Sequence, residues 1–120
     1  MEDSIFIIFQ DLIYSFLVLY YLAMVKYKEF FKLMVDQNKE QFQRFMILCQ
    51  DYIKDKDGLK DDFDKEGREV RDIVEYWERK LCKQMEGGKN GVYSTTLSDK
   101  FRAEVKKIFP PYDEIGLKRG

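Results

Sequence analysis

The stretch IFIIFQDLIYSFLVLYYLAMV, residues Ile5 to Val25, decides how this chain is read, because every position except Gln10, Asp11 and Ser15 is hydrophobic or aromatic. As a helix rising about 1.5 Å per residue it is roughly 32 Å long, close to the ~30 Å hydrocarbon core of a bilayer. Its Leu, Ile, Phe and Val side chains each favour insertion by roughly 0.3 to 0.6 kcal/mol near the bilayer centre, whereas Asp11 opposes it by about 2.5 to 3.5 kcal/mol. The sum favours one crossing, so the first expectation is an N-terminal transmembrane segment over residues 1–25. The competing reading makes residues 5–25 the buried core helix of a soluble bundle, which is also apolar on all sides.

Charge changes sign where this segment ends. Residues 1–25 hold Glu2, Asp3 and Asp11 with no Lys or Arg, and Lys26, Lys28 and Lys32 follow directly. The positive-inside rule then puts a single-pass protein's C-terminal part on the cytoplasmic side, or on the matrix side of a mitochondrial inner membrane. The opening Met1-Glu2-Asp3 has neither the basic n-region of a secretory signal peptide nor the Arg-rich character of a transit peptide. Over the whole chain, 21 basic and 22 acidic residues leave a net charge of −1, which argues against a dedicated nucleic-acid binder. A chain of 120 residues is one domain at most, and with residues 1–25 in lipid the remainder is small for an independent core.

Beyond Val25 the apolar residues thin into stripes. Phe31, Val35, Phe42, Phe45, Cys49 and Tyr52 recur at spacings of three and four, with Asn38 filling the gap in the series. This is a heptad-like seam, and Asn38 reads as a register-fixing residue or a local defect. The pattern breaks at Asp57-Gly58, and a second seam runs through Phe63, Gly67, Val70, Val74, Trp77, Leu81 and Met85 to Gly87-Gly88. Two such helices joined by a short turn predict an antiparallel hairpin in which Trp77 faces the Phe42 to Cys49 stretch. Gly67 weakens its helix by about 1 kcal/mol relative to Ala. After the GGKNG loop, residues 87–91, Val92 to Thr96 have the β-branched and aromatic character of a short extended connector. Thr96 or Ser98 then caps a last helix with Leu97, Phe101, Val105 and Ile108 on one face, ending at Pro110-Pro111. The expected organisation is all-α: a single N-terminal transmembrane helix, a hairpin and short helix over 26–109, and an irregular tail over 110–120.

Chemistry-bearing motifs are few. The acidic stretch from Asp55 to Glu66 resembles the front of a calcium loop, but aligning Gly58 with the turn glycine puts Ile53 at the first ligand position, and aligning Gly67 puts Ile73 where a bidentate Glu belongs. A small calcium-responsive helical module therefore stays a third reading, behind a solvated acidic turn that starts the next helix. The chain has no His, so a four-ligand zinc site is implausible, and Cys49 and Cys82 read as two buried thiols or as a disulfide across the hairpin. There is no phosphate loop and no nucleophile elbow, and Glu75, Glu78, Arg79 and Lys80 have the spacing of a solvated helix face. No enzyme, cofactor, metal or small-molecule substrate is expected.

What remains is protein recognition. Asp11 is costly in an apolar segment and pairs with a basic group of a neighbouring helix, or else sits near the headgroups of a tilted helix. Phe31, Phe42, Phe45 and Trp77 are the expected interface aromatics. Tyr112, in Tyr112-Asp113-Glu114-Ile115, has the look of a tyrosine-based sorting or phosphotyrosine docking signal, or of a tail that docks on a partner. The expected function is a non-catalytic accessory or scaffold subunit of a larger membrane complex, an energy-converting mitochondrial assembly being one setting, with other protein subunits and the lipid bilayer as partners. The alternative is a soluble helical-bundle or coiled-coil interaction protein.

Overall fold

A computed structural model describes residues 2–86 and 91–118. Within its helices the side chains of 2–9, 11, 12, 15, 16, 18–20, 22, 23, 85, 86 and 91–95 lie outside the description. The described residues form four helices, α1 (Glu2–Gln37), α2 (Lys39–Lys54), α3 (Lys56–Glu86) and α4 (Gly91–Ile108), followed by a 3-10 turn (Tyr112–Glu114). The all-α expectation holds.

The apolar stretch behaves differently from the expectation. Among the described residues, no helix is long and apolar enough to cross a membrane, which overturns the transmembrane segment, the single-pass topology and the cytoplasmic or matrix orientation. The apolar run does not end at a membrane edge near Val25. It is continuous with a helix of 36 residues, whose later part buries Tyr27, Phe30 and Met34 in a helical core. Of the run's described side chains, Gln10, Ile13, Tyr14, Leu17 and Tyr21 are exposed.

The first seam is interrupted at Asn38. Its backbone N–H donates to Val35 O at 3.2 Å and its side-chain Nδ2 donates to Met34 O at 2.9 Å. The asparagine thereby satisfies two carbonyls at the end of α1 while its own carbonyl accepts from Phe42 N–H at 2.9 Å to start α2. It is a joint between two helices rather than a register residue within one. α1 and α2 follow one another along α3, and α4 lies beside α1 and α3.

Reversal into α3 happens at Asp55, not at Asp57-Gly58. Asp55 N–H closes α2 on Asp51 O and Tyr52 O at 3.1 and 3.2 Å, and its Oδ1 accepts the Gly58 N–H at 3.1 Å, capping α3. Gly58 sits inside the first turn of α3, where a Cβ would collide with the capping carboxylate.

The early turn explains where Trp77 goes. At about 1.5 Å per residue Trp77 is roughly 33 Å along α3 from Asp55, beyond the roughly 24 Å that α2 can cover. It therefore passes the Asn38 joint and meets Phe30 of α1, ring centroids 6.0 Å apart and edge to face. The Phe42 to Cys49 stretch is met instead by Phe63, which stacks on Tyr52 at 3.9 Å and on Phe45 at 5.5 Å, and by Phe109.

Val92 to Thr96 are helical, and α4 begins at Gly91; residues 87–90 of the expected loop lie outside the described residues. Thr96 and Ser98 are accordingly interior to α4, and Ser98 Oγ bonds to Glu78 Oε1 instead of capping. Arg102 Nε joins the same carboxylate at 3.2 Å. Leu97, Phe101 and Val105 are buried as their spacing requires.

After Ile108 the chain does not leave the fold. Phe109, Tyr112 and Ile115 are buried, and residues 109–116 form a strap over the α2–α3 pair where α4 no longer covers it. Phe109 packs on Phe42 and Phe45 at 5.3 and 4.9 Å. Glu114 accepts from Tyr52 Oη at 3.2 Å and pairs with Lys56 at 3.1 Å. Lys60 donates to Glu114 O at 2.9 Å, and Asp64 takes the Gly116 N–H at 2.9 Å. Ile115 lies on Gly67, which explains the glycine in mid-helix: any Cβ there would be in the strap's way.

Candidate functional site

The first part of α1 combines exposure with apolar character. The helix is about 54 Å long at 1.5 Å per residue, yet the first of its described side chains to pack on the core is Met24, whose Sδ also meets Lys100 Nζ at 2.8 Å. The turns before Met24 extend beyond the bundle as an arm. The principal extents of 72 × 31 × 20 Å and the radius of gyration of 19.3 Å record this elongation, against about 14 Å for a compact chain of this size.

On the arm, Ile13, Tyr14, Leu17 and Tyr21 are 47, 71, 60 and 67% exposed. Tyr14, Leu17, Tyr21 and Met24 recur at three and four, so they share one stripe of the helix. Exposed apolar residues elsewhere, such as Ile47, Ile53 and Leu117, are scattered singly, as on any protein surface. The arm is the one described surface where such residues line up along an unpartnered helix.

Of the residues expected to carry recognition, Asp11 is on the arm, its side chain outside the described residues. The others are engaged within the chain. Phe31 is half-buried against the Phe101 ring at 5.9 Å, Phe42 and Phe45 converge on Phe109, and Trp77 takes Phe30 and the Tyr76 ring, each at 6.0 Å. Tyr112 is buried, and burial followed by the nearby Glu75 and Glu78 charges pushes its phenol up to about 12. A sorting or phosphotyrosine motif requires an accessible ring, and in this fold Tyr112 is part of the strap. The arm stripe was legible in the three-four spacing of Tyr14, Leu17, Tyr21 and Met24, a period masked in the sequence by the apolar residues around it.

Two of the grooves near the Asn38 joint carry aromatic side chains. One of about 450 Å³ is lined by Gln37, Asn38, Asp72, Ile73, Tyr76, Trp77 and Lys80, with Lys80 Nζ 5.0 Å from the Trp77 ring centroid. The other, about 230 Å³ and mainly apolar, lies between Val35, Phe42, Met46, Ile108 and Phe109. Neither holds a nucleophile paired with a base.

Among the described residues no three or more Cys, Asp or Glu side chains converge to hold a metal ion. The acidic stretch is dispersed into structural tasks, Asp55 capping α3 and Asp64 holding Lys60 at 3.0 Å and the strap. Glu66 Oε2 is a buried oxygen without a hydrogen-bond partner, and it stands alone. Cys49 and Cys82 are not in a disulfide.

The class these features define is an all-helical bundle with a projecting apolar arm. No protein-family model, curated protein or solved structure matches the chain.

Proposed function

We propose that the protein is a non-catalytic helical interaction module whose bundle presents the α1 arm to a partner helix. One observation carries this reading: Ile13, Tyr14, Leu17 and Tyr21 are exposed along a helix that has already left its own core. An apolar stripe held in water is unfavourable by about 25 cal/mol per Å² relative to its buried state, so a helix laid along it is stabilised by the area it covers. The remainder of the chain serves as a platform, in which Trp77 of α3 and Phe101 of α4 pack on Phe30 and Phe31 in the part of α1 that follows the arm. Near-balanced charge favours a protein partner over nucleic acid.

The test is site-specific photocrosslinking. A photoreactive phenylalanine analogue placed at Leu17 of the full chain in cells should give a discrete protein adduct, lost when Tyr14 and Tyr21 are both glutamate. The same probe at Ile47, exposed on α2, should give none. Absence of an adduct from position 17, or an equal one from position 47, rejects the reading.

A further inference from the structure

Lys56, Lys60, Asp64, Gly67 and Arg71 recur at spacings of four, four, three and four, so they lie along one stripe of α3. This stripe holds the end of the strap by its main chain. Lys60 Nζ donates to Glu114 O at 2.9 Å, Arg71 Nη1 donates to Ile115 O at 3.3 Å, and the Gly116 N–H donates to Asp64 Oδ1 at 2.9 Å. Three successive residues are thus gripped through backbone groups that any peptide carries, the basis on which extended segments are bound. Side chains are selected at the same three positions. Lys56 Nζ takes both Glu114 carboxylate oxygens at 3.1 Å, Gly67 leaves a notch that Ile115 fills, and Gly116 has a φ of 77°, which glycine adopts freely.

We propose that this stripe of α3 is a peptide-docking groove: the chain's own Glu114-Ile115-Gly116 occupies it in cis and gives way to an extended segment of a partner protein carrying an acidic, a branched aliphatic and a glycine residue in that order. Two features make the resident segment exchangeable. Of residues 113–118 only Ile115 is buried, whereas the strap before them is anchored in the core by Phe109 and Tyr112. The Lys56 and Glu114 side chains are 35 and 36% exposed, so water competes for their ion pair. The end of the strap can therefore lift while its start stays seated.

Charge and tethering select the occupant. Lys56, Lys60 and Arg71 all donate to the resident segment, so an incoming segment with a cation at the Glu114 position is repelled. A second copy's strap would offer the same contacts as the resident one and no more, against a competitor whose tether gives it an effective concentration in roughly the millimolar range. A different protein gains by adding contacts of its own beyond the three residues. None of the groove residues belongs to the arm, so this reading stands or falls apart from the one above.

Titration of the isotope-labelled full-length chain with the hexapeptide Asp-Glu-Ile-Gly-Leu-Lys, the sequence of residues 113–118, tests the groove by amide NMR. Ile115→Asp empties the notch, and Glu114→Lys sets a cation against Lys56 and Lys60. Each should raise peptide affinity over the parent on the order of tenfold or more, because the competing closed state is depopulated, with shifts centred on residues 56–71. Adding Gly67→Leu to Ile115→Asp fills the notch and should abolish the gain, as should a hexapeptide with Lys in place of its Glu. If both opening variants melt cooperatively and neither gains affinity, the groove is overturned. A gain that survives Gly67→Leu, or that the Lys peptide shares, overturns the register. A parent dimer that dissociates on Ile115→Asp makes a second copy the occupant and overturns the partner assigned here.

Discussion

Ile115 lies across the backbone of Gly67, so close that a Cβ on the glycine would come within 2.8 Å of Ile115 Cγ1 and 3.0 Å of Cγ2. The strap and α3 are matched at this point by the absence of a side chain. Because both branches of the isoleucine are near, rotating it does not clear the space. Gly67→Ala gains about 1 kcal/mol of helix propensity and loses about 1 to 3 kcal/mol to overpacking, so the net effect is destabilising. Ile115→Ala should rescue it, and a double-mutant cycle in urea should show coupling of the two sites. If Gly67→Ala stabilises the protein, the strap does not rest on α3.

The core of the hairpin was legible because burial follows period. Phe42, Phe45, Cys49, Tyr52, Phe63, Val70, Val74, Trp77 and Leu81 were identified by three-four spacing, and all are buried. The Asn38 joint was not legible, since a side chain bonding to its own helix's carbonyl leaves no periodic trace. The strap was obscured by Pro110-Pro111, which does stop α4 but does not stop the apolar series at Phe109, Tyr112 and Ile115. The Ile5 to Val25 stretch was misread for another reason: hydropathy measures what a segment avoids, not what it packs against, and a membrane helix and a protruding arm share that composition.

The strap should loosen in acid. Burial tends to raise the Glu114 carboxyl, but hydrogen bonds from Lys56 and Tyr52 and the charges of Lys56 and Lys60 outweigh it and hold it below its ordinary 4.5. Asp64 is likewise raised by burial and lowered further, below 3.8, by the Gly116 N–H, by Lys60 and by Arg68. A carboxyl with a depressed folded-state pKa binds its proton more readily when unfolded. Its contribution is therefore complete above the ordinary carboxylate range and is lost as pH falls through the folded value. Urea midpoints should be flat near neutrality and fall below about pH 4.5. Glu114→Gln with Asp64→Asn should lower the midpoint at pH 7 and reduce the drop in acid; an unchanged acid drop would place its origin elsewhere.

Trp77, the only tryptophan, reports on the contact between α1 and α3. It is 6% exposed, so its emission should be blue-shifted and should move to the red when Phe30→Ala opens the edge-to-face contact. Trp77→Ala should cost about 3 to 5 kcal/mol. Phe42→Ala should leave the emission nearly unchanged, because Phe42 faces Phe109 on the other side of the Asn38 joint. Equal red shifts from Phe30→Ala and Phe42→Ala would restore the simple hairpin in which Trp77 faces α2.

The two cysteines should separate local from global opening. Cys49 is 1% exposed on the α2 face of the core, and burial pushes its thiol from 9.0 up to about 12. That displacement alone lowers the reactive thiolate fraction about a thousandfold, and access through the close-packed core is a further barrier. Cys82 is only half-buried, near the end of α3. A chromogenic disulfide reagent at pH 8 should therefore label one thiol quickly and the other only as fast as the core opens. Cys82→Ser should remove the fast phase, and Cys49→Ser the slow one. The slow rate should rise in step with the unfolded fraction as urea is added, since only opening of the α2–α3 pair exposes Cys49. A Cys49 that reacts as fast as Cys82 in native buffer would mean that the Phe45, Tyr52 and Phe63 stack does not seal this part of the bundle.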